Sequence, residues 1–134
     1  MIETDKFLVV DDCYNANPMS MKASLDVLHD GEGRRVAILG DMGELGEDEI
    51  VLHEGVGTHA ATCGIDACVC VGDLALHIAE AARKANPEFP VYYEKTRESF
   101  LEHLNDYVQK GDTILVKASH FMKFEEVVKA LEEM

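Results

Sequence analysis

The 134 residues suit one domain burying roughly 65–70% of its unfolded surface, and 47% hydrophobic residues are enough for a real core. Twelve Lys and Arg against 26 Asp and Glu give a formal net charge of −14. Such a charge argues against nucleic acid and anionic membrane surfaces as partners, because both attract basic patches. No apolar run approaches the ~20 residues of a membrane span, and the N-terminus lacks a signal-peptide pattern, so a cytoplasmic location is expected.

Residues 1–5 read as a frayed start or the remnant of a preceding hairpin. The first predicted strand, about residues 6–11, carries Phe7-Leu8-Val9-Val10 and ends in two carboxylates, Asp11 and Asp12. A loop of small polar residues follows, and Pro18, whose φ is preset for a first helical position, opens a helix over about 18–29. Met21, Leu25 and Leu28 form its apolar face, and Asp30-Gly31-Glu32-Gly33 ends it in a turn. A second strand covers 35–39, followed by a loop over 40–47. The next helix, about 48–63, places Val51, His59 and Thr62 near one face, although Gly55 and Gly57 weaken it.

The third strand, 67–71, is nearly all apolar, and Gly72-Asp73 is expected to cap an Ala-rich helix over about 74–86. A short strand at 91–93 precedes a helix over about 97–109 that turns Phe100, Leu104, Tyr107 and Val108 inward. The fifth strand, 113–116, leads through Lys117-Ala118-Ser119-His120 into a last helix over about 121–132.

Strands alternating with helices mean βα units, which pack as a parallel sheet with right-handed crossovers. In such a sheet the carboxyl ends of all strands share one edge. The polar clusters at 12–17, 40–47, 72–73 and 117–120 all fall there, the pattern of a binding edge. The four cysteines are Cys13, Cys63, Cys68 and Cys70. Cys68 and Cys70 alternate on one strand face, so they make no CxxC redox pair. A zinc site with His53 or His59 is conceivable, and buried reduced thiols are the plainer reading.

Three stretches also carry a resemblance. Asp11-Asp12-Cys13-Tyr14-Asn15-Ala16-Asn17-Pro18, then Leu39-Gly40-Asp41-Met42-Gly43-Glu44-Leu45-Gly46 with His53, then Val116-Lys117-Ala118-Ser119-His120 stand in order along the chain. Together they resemble the carboxyl-terminal domain of the Mur ligases, most of all the branch that adds D-alanyl-D-alanine in peptidoglycan synthesis. The resemblance implies a three-layer, Rossmann-like α/β domain with a mainly parallel five-stranded sheet in the order 1-5-2-3-4. It also implies an antiparallel edge strand before strand one, which this chain would supply only in part. Residues 1–134 would then be one domain of a three-domain bacterial ligase.

In that family the carboxylate of a UDP-N-acetylmuramoyl-tripeptide is activated by ATP as an acyl phosphate, which the amine of D-Ala-D-Ala attacks. The amino-terminal domain holds the UDP-sugar, and the central domain supplies the P-loop and magnesium. This chain has no GxxxxGK[ST] cradle, so alone it is expected to be inactive. By resemblance Asp12 accepts hydrogen bonds from the ATP ribose, with Tyr14 and Asn15 lining the nucleotide side. Lys117 is the catalytic cation facing the terminal phosphate or acyl phosphate, and Ser119 and His120 take the dipeptide.

Each residue also has a plain reading. Asp12 could be solvated, Tyr14 could pack under its loop, and Asn17 could hold backbone amides before Pro18. Lys117 could reach water, and Ser119 could cap the last helix. His53, Asp41 and Glu44 receive no assigned bond. The family's KGSR string reads differently here, with Ala118 and His120 in place of Gly and Arg. Two other readings stay open: a phospho-accepting receiver domain, with Asp73 as its candidate aspartate, and a non-catalytic nucleotide-binding module of the same fold.

Overall fold

The computed structural model describes residues 2–12 and 16–134. Tyr14 and Asn15, both assigned above to the nucleotide side, lie outside the described residues, as does Cys13.

Within the described residues six strands form one sheet: β1 (Ile2–Glu3), β2 (Leu8–Asp12), β3 (Arg35–Gly40), β4 (Ala67–Val71), β5 (Val91–Glu94) and β6 (Thr113–Lys117). They lie in the order β1-β2-β6-β3-β4-β5. Only β1 runs antiparallel, pairing Ile2 with Val9 and Glu3 with Leu8. The sheet thus has one strand more than five, because the first residues add an edge rather than fraying. The five parallel strands run β2-β6-β3-β4-β5.

Helices α1 (Pro18–His29), α2 (Glu49–Thr62) and α3 (Ala75–Ala85) cover one face. Helices α4 (Arg97–Glu102), α5 (Leu104–Tyr107) and α6 (Glu125–Glu132) cover the other. Strands β3, β4 and β6 are buried on both faces, as central strands under two helical layers must be. Alternation sends Leu39, Cys68, Cys70 and Leu115 toward α1–α3, and Val36, Ile38, Val69 and Val116 toward α4–α6.

Helix α1 starts at Pro18 as expected, but Asn17 caps the helix where the sequence reading has it hold amides of its own loop. The Asn17 side chain accepts from Ser20 N at 2.9 Å, and Ser20 Oγ accepts from Asn17 N at 3.1 Å, a reciprocal capping box. Three expectations for the helices fail. In α2 the buried face is His53, Val56, Gly57, Ala60 and Ala61, whereas Val51 and Thr62 are exposed. Gly57 decides this, since any Cβ there would run into the Ile78 carbonyl of α3; the bare backbone lets the two helices meet. The helix expected over 97–109 breaks at His103, which leaves helical geometry at φ −109°, ψ 13°. The last helix begins late, because a 3-10 turn (His120–Met122) ends in Lys123 at left-handed φ 54° before α6 starts.

The break at His103 accompanies a polar cluster. Glu94, at the end of β5, accepts from Ser99 Oγ, from Tyr107 OH at 2.6 Å, and faces His103 Nδ1 at 3.1 Å. Burial and the Glu94 carboxylate push the Tyr107 phenol up to about 12. Burial alone would raise the Glu94 carboxyl, but the hydrogen bonds from Ser99 and Tyr107 outweigh it and hold it below the usual range. For Tyr107 the folded value lies above the unfolded value of about 10, so its contribution is complete below pH ~10. That contribution is lost as pH climbs through 12. Urea midpoints measured between pH 9 and 12 are expected to fall more steeply for the wild-type chain than for Tyr107→Phe. Parallel curves would show that the phenol contributes nothing.

Candidate functional site

The register of the sheet puts Asp12 and Lys117 side by side. Strand β2 pairs with β6 in parallel, with Asp12 opposite Lys117, at the carboxyl ends of both strands. On its other side β6 pairs with β3, setting Lys117 against Leu39 just before the 40–47 loop. Lys117 is fully buried, and its ammonium donates to Asp12 Oδ2, whose side chain is 41% exposed. Ser24 of α1 donates to the same oxygen at 3.1 Å. The carboxylate is therefore oriented from two elements while keeping an open side, and the lysine carries its charge to the edge through apolar surroundings.

Ser24 is a site residue that sequence reading missed. Its signal was its spacing, since Met21, Ser24, Leu25 and Leu28 share one helical stripe.

Ser119 ties three loops together. Its hydroxyl accepts from Gly43 N at 2.7 Å and reaches Ala16 O at 3.4 Å, while its backbone N donates to Asp41 O at 3.1 Å. It precedes the 3-10 turn without capping it by its side chain. His120 opens that turn and is exposed.

The 40–47 loop is held from inside. His53, completely buried on α2, accepts from Met42 N at 3.0 Å through Nε2, which leaves Nδ1 as the donor to Glu49 O at 2.6 Å. His53 is thus a structural strut of the loop, and the zinc reading loses it as a ligand. No group of three or more His, Cys, Asp or Glu among the described residues could hold a metal ion. Cys68 and Cys70 lie buried with their sulfurs 3.7 Å apart.

Asp41 corrects another expectation. It, rather than Asp73, caps α3, its Oδ1 accepting from Ala75 N at 2.7 Å across two loops. Burial pushes its carboxyl up, and the Ala75 amide opposes that only in part. Asp73 follows Gly72 beyond the end of β4, so no aspartate closes that strand as a receiver would need.

Beside Asp41 opens a cleft of about 450 Å³, lined among others by Asp73, Lys95, Arg97, Phe121 and Lys123. The edge therefore offers two adjoining features: the Asp12–Lys117 pair, and a mixed-charge cleft beyond Ser119.

A family model described as "Mur ligase, glutamate ligase domain" matches residues 1–120. The chain belongs to that family. Among curated members it is 38% identical to the UDP-N-acetylmuramoyl-tripeptide–D-alanyl-D-alanine ligase of Bacillus subtilis, covering 99% of this chain and 30% of the relative. The Escherichia coli ligase of the same name is 40% identical over 94% of this chain and 27% of its own length. Among solved structures, MurF from Acinetobacter baumannii superposes with a TM-score of 0.87 at 31% identity, covering 99% of this chain and 30% of that one. MurF from Thermotoga maritima, in complex with ADP, gives 0.80 at 28% identity over 98% of this chain and 29% of that one. The chain thus spans under a third of the length of these Mur ligases.

Proposed function

We propose that this chain serves as the carboxyl-terminal domain of an ATP-dependent amide ligase that adds D-Ala-D-Ala to UDP-N-acetylmuramoyl-tripeptide in the bacterial cytoplasm. The observation that carries the reading is the pairing of Asp12 with Lys117 at adjoining strand ends, in a chain whose relatives bear that name. A carboxylate offers acceptors only, which suits the two hydroxyls of a ribose, and Asp12 keeps the exposure that such a ligand needs. Lys117 holds that carboxylate in place and brings positive charge to the edge where phosphate or acyl phosphate would arrive. Tyr14 and Asn15 belong to the same nucleotide side by resemblance alone.

Ser119 and His120 face the incoming dipeptide, with the Ser119 hydroxyl fixed in position by the Gly43 amide. Magnesium would accompany ATP, held mainly by the central domain as the resemblance implies. An acyl phosphate is lost to any water that reaches it, so the task of this domain is to close over the cleft.

The test joins this chain to the amino-terminal and central domains of the Bacillus subtilis relative. The 134-residue chain alone should release no phosphate from ATP, and the joined protein should release it only when both UDP-N-acetylmuramoyl-tripeptide and D-Ala-D-Ala are present. In that protein Asp12→Ala should raise the KM for ATP roughly tenfold, the effect of losing a charged hydrogen-bond acceptor. Turnover by the isolated chain, or an unchanged KM, would refute the assignment.

A further inference from the structure

Arg97 stands out among the arginines. Arg34 and Arg35 each use the edge formed by Nε and Nη2 to grip an aspartate, Asp112 and Asp66 respectively. In Arg97 the same edge is half filled. Its Nη2 donates to Glu98 at 3.1 Å, while its Nε is the buried side-chain nitrogen left without a hydrogen-bond partner among the described residues. Its Nη1 is committed elsewhere, donating at 3.3 Å to the carbonyls of Met122 and Lys123. The guanidinium is thus fixed against the turn that follows Ser119, with its carboxylate-matching edge incompletely satisfied.

The surroundings favour an anion that binds and leaves. Glu98 is 71% exposed and can swing into water, so it holds Nη2 only weakly. Lys95 and Lys123 line the same cleft, so three of the 12 Lys and Arg residues gather there in a chain of net charge −14. Lys95 and Arg97 follow β5 and Lys123 follows β6, the strands on either side of β3 and β4, while Asp41 and Asp73 come from the ends of β3 and β4. Both signs of charge in one cleft suit a zwitterion.

We propose that the Nε–Nη2 edge of Arg97, flanked by Lys95 and Lys123, is a carboxylate-binding subsite whose ligand is the carboxyl end of the incoming dipeptide. The naming of that ligand rests on the ligase reading above; the carboxylate chemistry rests on Arg97 itself. A bound carboxylate displaces Glu98 from Nη2 and completes the bond missing at Nε.

The test is an NMR titration of the 134-residue chain with D-alanyl-D-alanine, with its carboxyl-terminal amide, and with inorganic phosphate. The dipeptide is expected to shift the Arg97 Nε–H signal and the Lys95 and Lys123 amides, and to bind roughly tenfold tighter than the amide. Arg97→Gln should abolish that preference, and Arg97→Lys should restore part of it. Arg97→Gln also removes two bonds to the turn, so Lys95→Gln, which leaves the turn intact, should reduce the preference by itself.

Equal binding of dipeptide and amide would overturn the subsite. Shifts confined to Gly43 and Ser119 would also overturn it while leaving the ligase reading standing. Phosphate binding at the same signals as tightly as the dipeptide would reassign the subsite to phosphate. No response to the dipeptide anywhere would overturn the subsite, while the ligase reading stands or falls with the joined protein's phosphate release.

Discussion

Asp12→Ala is expected to destabilise the chain by about 2–3 kcal/mol, well beyond what an exposed ion pair contributes. The reason is asymmetry. Lys117 has its charged end inside the fold, while Asp12 is 41% exposed. Removing the carboxylate leaves a buried ammonium without its Asp12 partner, and the cost approaches that of breaking a buried pair, reduced because water can reach the vacated side. Lys117→Met removes the buried charge instead and leaves an aspartate that water can solvate, so it should cost about half as much. The double variant should lie near Lys117→Met alone, giving a coupling of at least about 1 kcal/mol in a double-mutant cycle read by urea unfolding. Additive losses would mean that the pair is no more than a surface contact.

That Asp12 and Lys117 end neighbouring strands was legible; that they pair with each other was not, since the sequence reading gives Asp12 to the ribose and Lys117 to phosphate. Apolar runs ending in Asp11-Asp12 and in Lys117 fix where two strands stop, and adjoining strands in register then bring their ends together. The strand order itself came from resemblance, since alternation of strands and helices is satisfied by several orders. What stayed hidden depends on contacts between distant segments. Asp41 caps α3 from 34 positions away, a bond no local pattern announces. His53 reads as an isolated histidine until the 40–47 loop folds onto it. The face of α2 was misread because periodicity treats Gly57 as a gap, whereas the fold uses it as the point of closest approach to α3. The left-handed Lys123 gives no compositional warning, as that conformation usually falls to Gly or Asn.

Gly40→Ala is expected to cost about 3 kcal/mol, the upper end for overpacking. A Cβ at Gly40 would sit 2.6 Å from Phe124 Cζ and 2.7 Å from the Ala118 methyl, and both neighbours are completely buried. Phe124 cannot retreat, because it packs among Val116, Val127 and Leu131 in the core under α6. The Ala118 methyl occupies a place that the related KGSR string leaves empty. Gly40 and Ala118 therefore share one space that holds a single methyl between them. Ala118→Gly in the Gly40→Ala background should recover about 1–2 kcal/mol, though Phe124 still resists. Gly40 directly precedes Asp41, and Ala118 directly precedes Ser119, the two residues joined at the cleft by a 3.1 Å bond. Strain introduced there should therefore loosen the site as well as the core, and thermal unfolding of the two single variants and the double will show it. A Gly40→Ala chain as stable as wild type would mean that the strand ends can part without cost, and that the cleft is not held by their packing.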